Sequence, residues 1–262
     1  MFDNADYERA AARLDVPAAN IMAMAAVESS GETFWAVDGK LVVPVRFEAH
    51  WFGKLTDYRF NDTHPDLSCV SWNPGLAART RAGAWDQLNR ARALDRDAAD
   101  QSASHGAFQV MGMHWKRLGY PSVRAFVDSM SADGDDGQMD AFTRFIEADP
   151  ALHASLALGA WLDVEQRYNG GGYGGAYAAK LRAAAAIFGG QNSPAAPRPM
   201  RKGDRGVDVT ALQSALGIRA DGDFGPETDA AVRLFQVDRG LSVDGVAGAL
   251  TIAALGGLGT AK

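Results

Sequence analysis

Two carboxylates carry most of the chemistry that this sequence can offer. Glu28 follows Ile21, Met24 and Ala25 at i, i+3, i+4 and i+7, the spacing that puts four residues on one face of a helix. The other three are apolar, so Glu28 projects from the side that packs inward. It also stands at the C-terminal end of a helix expected over 16–29, where the helix dipole opposes negative charge. Desolvation and dipole both favour the neutral form, so the pattern predicts a raised pKa. A carboxylic acid that keeps its proton near neutral pH can protonate a glycosidic oxygen before its bond breaks. The plainer reading of such a glutamate is a boundary residue whose carboxylate reaches water or an arginine.

Glu48 is the second carboxylate. It follows residues 41–47, Leu-Val-Val-Pro-Val-Arg-Phe, a short β-branched run that Pro44 interrupts and that reads as an edge strand or hairpin arm. Facing Glu28 across a cleft, it would position water or stabilise an oxocarbenium-like transition state. With equal weight it would form a salt bridge with Arg46 or a hydrogen bond with His50. Asp38 is a poorer candidate, because Asp38-Gly39 is a common turn pair. Metal chemistry has no ligand pattern to rest on. His50, His64, His105, His114 and His153 form no His-Glu-x-x-His motif and no pair at helical ligand spacing. The acidic run Asp133-Gly134-Asp135-Asp136-Gly137 has Arg144 where a calcium loop needs its twelfth-position acid. No metal and no cofactor are expected. Cys69 is the single cysteine, so no intramolecular disulfide forms, and a small buried residue is its expected role.

The elements that must position these groups read mainly as helices. Asp15 is expected to cap the helix over 16–29, with Pro17 in its first turn. Further helices are expected over 85–100, 106–118, 139–147, 153–168 and 176–188. In the second of these, Phe108, Met111, Trp115 and Leu118 share a face and Gly119 is the stop. Residues 189–199 hold Pro, Ala, Ser and Gly with no apolar period, which is linker composition. They divide a first domain, 1–188, from a second, 200–262. The second contains a pseudo-repeat. Asp221-Gly222-Asp223-Phe224-Gly225-Pro226-Glu227-Thr228 is echoed 23 residues later by Asp244-Gly245-Val246-Ala247-Gly248-Ala249-Leu250-Thr251. Each copy reads as a turn followed by a helix start. A preceding helix over 207–216 aligns Val209, Leu212 and Leu216, and Gly240 is the expected stop of the helix that begins at Pro226. Asp221 and Asp244 are turn residues in this reading, since neither begins a loop with full calcium-ligand spacing.

Bulk properties bound the function. A hydrophobic fraction of 47% with 22% charged residues permits a folded core. A net charge of −6 argues against a basic nucleic-acid binder and requires any binding to an anionic envelope to rest on shape and hydrogen bonds. The first residues, Met-Phe-Asp-Asn-Ala-Asp-Tyr-Glu, carry acid where a signal peptide carries base. No stretch approaches a membrane span, so membrane insertion is not expected, and a monomer is.

Several blocks carry a family resemblance. Glu28-Ser29-Ser30-Gly31 looks like the Glu-Ser motif of lytic transglycosylases and goose-type lysozymes. The chain more closely resembles the N-acetylmuramidase family of phage endolysins in four blocks that occur in order: Glu28 to Gly31, Phe47-Glu48-Ala49-His50-Trp51-Phe52, Ser102-Ala103-Ser104-His105-Gly106-Ala107-Phe108-Gln109-Val110-Met111-Gly112, and Arg167-Tyr168-Asn169-Gly170. The second serine after Glu28 is a departure that leaves the acid in place. The resemblance implies a mainly α architecture: a lysozyme-like α+β catalytic domain with a small β element, followed by a small three-helix module. It implies Glu28 as catalytic acid, with Glu48 beside it, and a sugar groove that includes His50, Ser104, Gln109, Met111, Tyr168 and Asn169. Taken singly, Gln109 reads as a helix-surface residue and Asn169 as a C-cap before glycine. The second domain resembles the peptidoglycan-binding module of cell-wall hydrolases through Arg201 to Val209, Leu212-Gln213, Asp221 to Thr228 and Ala231 to Gln236.

The implied activity is hydrolysis of the β-1,4 bond between N-acetylmuramic acid and N-acetylglucosamine in bacterial peptidoglycan, without nucleic acid as a partner. The implied life history is synthesis in a host cytoplasm and release to the wall through a separate membrane-permeabilising protein. A lytic transglycosylase, a metal-dependent amidase and a non-catalytic wall-binding protein are the rivals.

Overall fold

A computed structural model of the chain describes residues 2–131, 136–172, 174–189, 199–239, 241 and 243–255. Backbone contacts divide it into two compact units, Met1–Asp149 and Pro150–Lys262. Both are mainly helical, and among the described residues the named strands lie in the first. Most of the expected linker over 189–199, the Gly240 stop and Asp133 to Asp135 of the acidic run lie outside the described residues.

The first unit opens with α1 (Asn4–Leu14) and α2 (Ala18–Ser29). Asp3 and Asp6 form a reciprocal capping box at the start of α1, satisfying two orphan N–H groups. Asp15 does not cap α2, as the sequence suggested. It ends α1 in the left-handed region at φ 52°, which aspartate tolerates better than most residues. Pro17 precedes α2 and offers no side-chain cap. The two helices cross at 117°, and three residues must turn the chain, which is why α2 starts two residues late. Among the described residues, no single helix is long and apolar enough to cross a membrane.

The strands follow. β1 (Trp35–Val37) and β2 (Lys40–Val42) pair as an antiparallel hairpin. Asp38 and Gly39 both take positive φ at its tip, the conformation of a two-residue hairpin turn. Pro44 then separates β2 from β3 (Val45–Phe47), so the expected single arm is two strands in two sheets. α3 (Ala49–Leu55), α4 (Arg81–Leu94) and α5 (Arg96–Gln101) lead to β4 (Ala103–His105) and β5 (Val110–Met111). The order β3-β4-β5 is antiparallel throughout. Their core holds Phe47, Phe52, Leu67, Leu88 and Ala99. Each large side chain buried there contributes about 1.5–3 kcal/mol.

Two expected helices are corrected here. The run 85–100 breaks at Asp95, which adopts an extended conformation and accepts the Ala98 N–H at 3.0 Å. An aspartate N-cap outweighs continuation of a polar helix. The run 106–118 is not a helix. Gly106 at φ 79° and Gln109 at φ 50° make a tight turn, and the register Ser104↔Met111, His105↔Val110 forms a hairpin. The helical spacing of Phe108, Met111, Trp115 and Leu118 is coincidental, although Gly119 does take the left-handed φ of a stop.

α6 (Val123–Ser131) and α7 (Asp136–Glu147) complete the unit. Phe108 stacks on Phe142 with ring centroids 4.0 Å apart. Arg13 of α1 clasps α7 through Glu147, at 2.8 and 2.7 Å, and Asp140, at 2.7 Å. The Arg13 hydrogen bond is the leading cause that holds the Glu147 carboxyl below its ordinary range.

In the second unit, the expected helix over 153–168 is two: α8 (Pro150–Leu158) and α9 (Trp161–Tyr168). Gly159 at φ 63° separates them, a backbone state that glycine enters without steric cost. α10 (Ala176–Gly189) follows. Its first turn is capped by Glu165, a buried carboxylate that accepts from the N–H groups of Gly175 at 2.9 Å and Ala178 at 2.8 Å. α11 (Val207–Ala215), α12 (Pro226–Asp238) and α13 (Ala249–Ala254) form the final module around Leu212, Phe224 and Val232. The pseudo-repeat is physical. Gln213 donates to Asp221 Oδ1, the Asp223 carbonyl and Thr228 Oγ1, and accepts from Gly222 N–H. Gln236, 23 residues on, donates to Asp244 Oδ1, the Val246 carbonyl and Thr251 Oγ1, and accepts from Gly245 N–H. Both glutamines are buried, and both aspartates act as turn residues.

Candidate active site

Glu28 is the penultimate residue of α2. Ile21, Met24 and Ala25 on the same face are fully buried, while Glu28 is half-buried at the end of that stripe. The helix ends through Ser30 at φ 58°, whose N–H bonds the Ala26 carbonyl at 3.1 Å, and Gly31 at φ 76°, whose N–H bonds the Ala25 carbonyl at 3.1 Å. The extra serine is therefore the helix stop and does not displace the carboxylate from the helix end. Beyond it, Glu32 pairs with Arg81 at the start of α4 at 2.5 Å, and the Arg81 guanidinium lies over the Trp35 ring.

Glu48 sits between β3 and α3, and its N–H donates to the Ser102 carbonyl at 2.9 Å. Arg46 Nε approaches its Oε1 at 3.1 Å, and His50 Nδ1 its Oε2 at 3.6 Å. Of the two alternatives that the sequence offered, the salt bridge with Arg46 is present, whereas His50 stands beyond hydrogen-bond distance. An ion-paired carboxylate accepts hydrogen bonds and does not donate a proton.

Ser104 and Met111 follow Arg46 across the three-stranded sheet, since Arg46 pairs with Ser104, and Ser104 with Met111, while Gln109 lies in the turn between the last two strands. Gln109 is not on a helix surface. Its side chain accepts from Ser104 Oγ at 2.7 Å and donates to the carbonyls of Gly106 at 2.9 Å and Pro44 at 3.4 Å. Both ends of the amide thus brace the hairpin. A residue with a positive φ that is not glycine costs about 1–3 kcal/mol, and such strain clusters at ligand clamps and active sites. Tyr168 and Asn169 belong to the second unit. Tyr168 ends α9, and Asn169 is its C-cap, with its N–H on the Glu165 carbonyl at 3.1 Å.

Sequence reasoning missed the residue that joins the exit loop of α2 to this sheet. Gln138 is 1% exposed. Its Oε1 accepts the Ala107 N–H at 2.8 Å, and its Nε2 donates to the Thr33 carbonyl at 2.8 Å. The signal was available: Gln138 precedes Phe142 and Phe145 by four and seven residues, a polar residue on an apolar helix face. Below the hairpin, His105 Nε2 bonds the Asp100 carbonyl at 3.0 Å. Burial lowers the pKa of His105 to about 4, so the ring is neutral near pH 7. Asp100 is buried against Arg92 at 2.6 Å. Among the described residues, no group of three or more His, Cys, Asp or Glu is arranged to hold a metal ion.

Known proteins resemble this chain. Residues 17–189 match the family model of N-acetylmuramidase, and residues 205–255 match that of a peptidoglycan binding domain. A solved structure titled as the crystal structure of Burkholderia AP3 phage endolysin superposes with a TM-score of 0.62 at 34% identity, covering 72% of this chain and 71% of that one. No curated protein matches the chain.

Proposed function

Since this chain belongs to the N-acetylmuramidase family, we propose that Glu28 is the acid through which it cleaves peptidoglycan. The protein is a phage-type endolysin, a glycoside hydrolase that acts on the bonds between N-acetylmuramic acid and N-acetylglucosamine. A peptidoglycan-binding module follows the catalytic part. The reading of Glu28 is supported by one arrangement above all: a single carboxylic acid at the end of a buried helix stripe, its exit loop tied by Gln138 to the sheet that carries two of the motif blocks.

In this reading Glu28 protonates the leaving-group oxygen as the glycosidic bond lengthens. Positive charge then develops at the ring carbon and oxygen. Glu48, oriented by its ion pair with Arg46, accepts a hydrogen bond from water or a sugar hydroxyl. Ser104, Met111 and the Gln109 brace shape the adjoining wall. Tyr168 and Asn169 are assigned to sugar binding by their motif block. The functional parts are residues 1–188 for catalysis, 189–199 as linker and 200–262 for wall binding. The last part raises the local enzyme concentration on an insoluble polymer. A monomer that needs neither cofactor nor metal and is released to the wall by a separate membrane-permeabilising protein completes the proposal.

Glu28→Gln tests it. The variant is expected to lose more than about a hundredfold of its turbidity-clearing rate, the lower range for a general acid, while still sedimenting with purified cell walls. Retained lysis would remove Glu28 from the mechanism. Mass spectrometry of digested peptidoglycan is expected to show reducing sugar ends. Anhydro-sugar ends would make the enzyme a transglycosylase that uses the same acid.

A further inference from the structure

We propose that the depression between the β3–α3 corner and the loop over 72–77 is a saccharide subsite, with Trp72 as the platform for one pyranose ring of the glycan strand. The depression is shallow and open to solvent, lined by Arg46, Glu48 and His50 on one side and by Trp72, Asn73 and Pro74 on the other. A pyranose has an apolar C–H face and a rim of hydroxyl groups. An aromatic face beside a carboxylate and an imidazole meets both requirements.

Trp72 is 59% exposed, on a segment that is held firmly. Gln87, itself buried, donates to the carbonyls of Asp66 at 3.2 Å and Leu76 at 2.9 Å. Cys69 N–H bonds the Ala49 carbonyl at 3.3 Å. Gly53 passes so close beneath that a Cβ there would lie 2.5 Å from the Cys69 carbonyl oxygen. Asn73 Oδ1 accepts from Gly75 N–H at 2.9 Å, closing the turn that follows Trp72. A rigid loop that keeps an indole in water loses little further freedom when a ligand covers it, which is how preorganised sites gain affinity. None of the motif blocks that carry the family resemblance contains this loop.

The choice of a peptidoglycan sugar rests on the muramidase reading. The experiment separates the two claims by measuring the full-length enzyme on soluble, uncrosslinked peptidoglycan glycan strands. Trp72→Ala is expected to raise KM about tenfold with kcat unchanged, equivalent to roughly 1.4 kcal/mol of binding, and Trp72→Phe is expected to recover most of the loss. Both variants should melt with the parent, because the side chain is mostly in water. An unchanged KM in Trp72→Ala overturns the subsite, and so does a fall in kcat alone. Failure of the muramidase reading shows elsewhere, as activity that survives Glu28→Gln.

Discussion

The substitution Gln138→Glu converts a buried brace into a titratable one. The native amide accepts from Ala107 N–H and donates to the Thr33 carbonyl, both at 2.8 Å. A protonated carboxylic acid in its place can make the same two bonds, with its hydroxyl facing Thr33. A deprotonated one cannot: it sets a carboxylate oxygen against a carbonyl oxygen in a site that is 1% exposed. Burial disfavours the charged form and raises such a pKa by up to about 3 units, and each unit is worth about 1.4 kcal/mol. The introduced acid therefore contributes its full stability below the unfolded glutamate value of about 4.3. It loses about 4 kcal/mol as the pH rises through its elevated folded value, a large part of the roughly 5–15 kcal/mol that holds a domain together. Gln138→Leu removes both bonds at every pH and leaves two buried backbone groups unpaired, at about 1–3 kcal/mol each. The assay is thermal melting of the parent and both variants from pH 4 to pH 8, with soluble glycan strands as a parallel activity substrate. The Gln138→Glu variant should melt close to the parent at pH 4 and well below it at pH 8, and activity should follow, because Thr33 lies five residues beyond Glu28. If its melting curve runs parallel to that of the parent across this range, the brace is not what joins the two walls.

Two further outcomes follow from the second unit. Burial, and then the neighbouring charge of Asp244, raise the pKa of Asp163 against the opposing pull of Arg167. A raised folded pKa means that stability is present below about 3.9, the ordinary aspartate value, and is lost as pH rises above it. Asp163→Asn should therefore melt higher than the parent at pH 7, with the gap closing toward pH 4; a gap independent of pH would rule out the electrostatic origin. Gln213→Leu and Gln236→Leu each strip four hydrogen bonds from one copy of the repeat. Each should cost about 2–4 kcal/mol and reduce sedimentation with cell walls while sparing hydrolysis of soluble strands. Unequal losses would show that the two copies are not energetically equivalent.

What could be read from the sequence is what short-range chemistry dictates. The i, i+3, i+4, i+7 set that ends at Glu28 needs only one helix to be meaningful, and the structure keeps the four residues on one face. Asp38-Gly39 and the two Asp-Gly turns of the repeat state their conformations in two residues each. The failures share a cause. Residues 106–118 have a helical period, but their backbone is decided by the pairing of Val110–Met111 with Ala103–His105, a strand itself paired with Val45–Phe47, and by Gln109 held at positive φ through bonds to Ser104, Gly106 and Pro44. None of that is a local preference. Asp15 failed in the same way: the residue suits a cap, and the chain used its tolerance of the left-handed region to end the previous helix instead. The walls of the candidate site show the limit most clearly. Gln138 and Thr33 are 105 residues apart in sequence, and the bond between them is what a period-based reading passes over, because a polar residue on an apolar face registers as an irregularity until its partner is known. A buried polar side chain must find partners, so Gln138 could have been singled out as a brace from sequence alone; which backbone groups it would join could not.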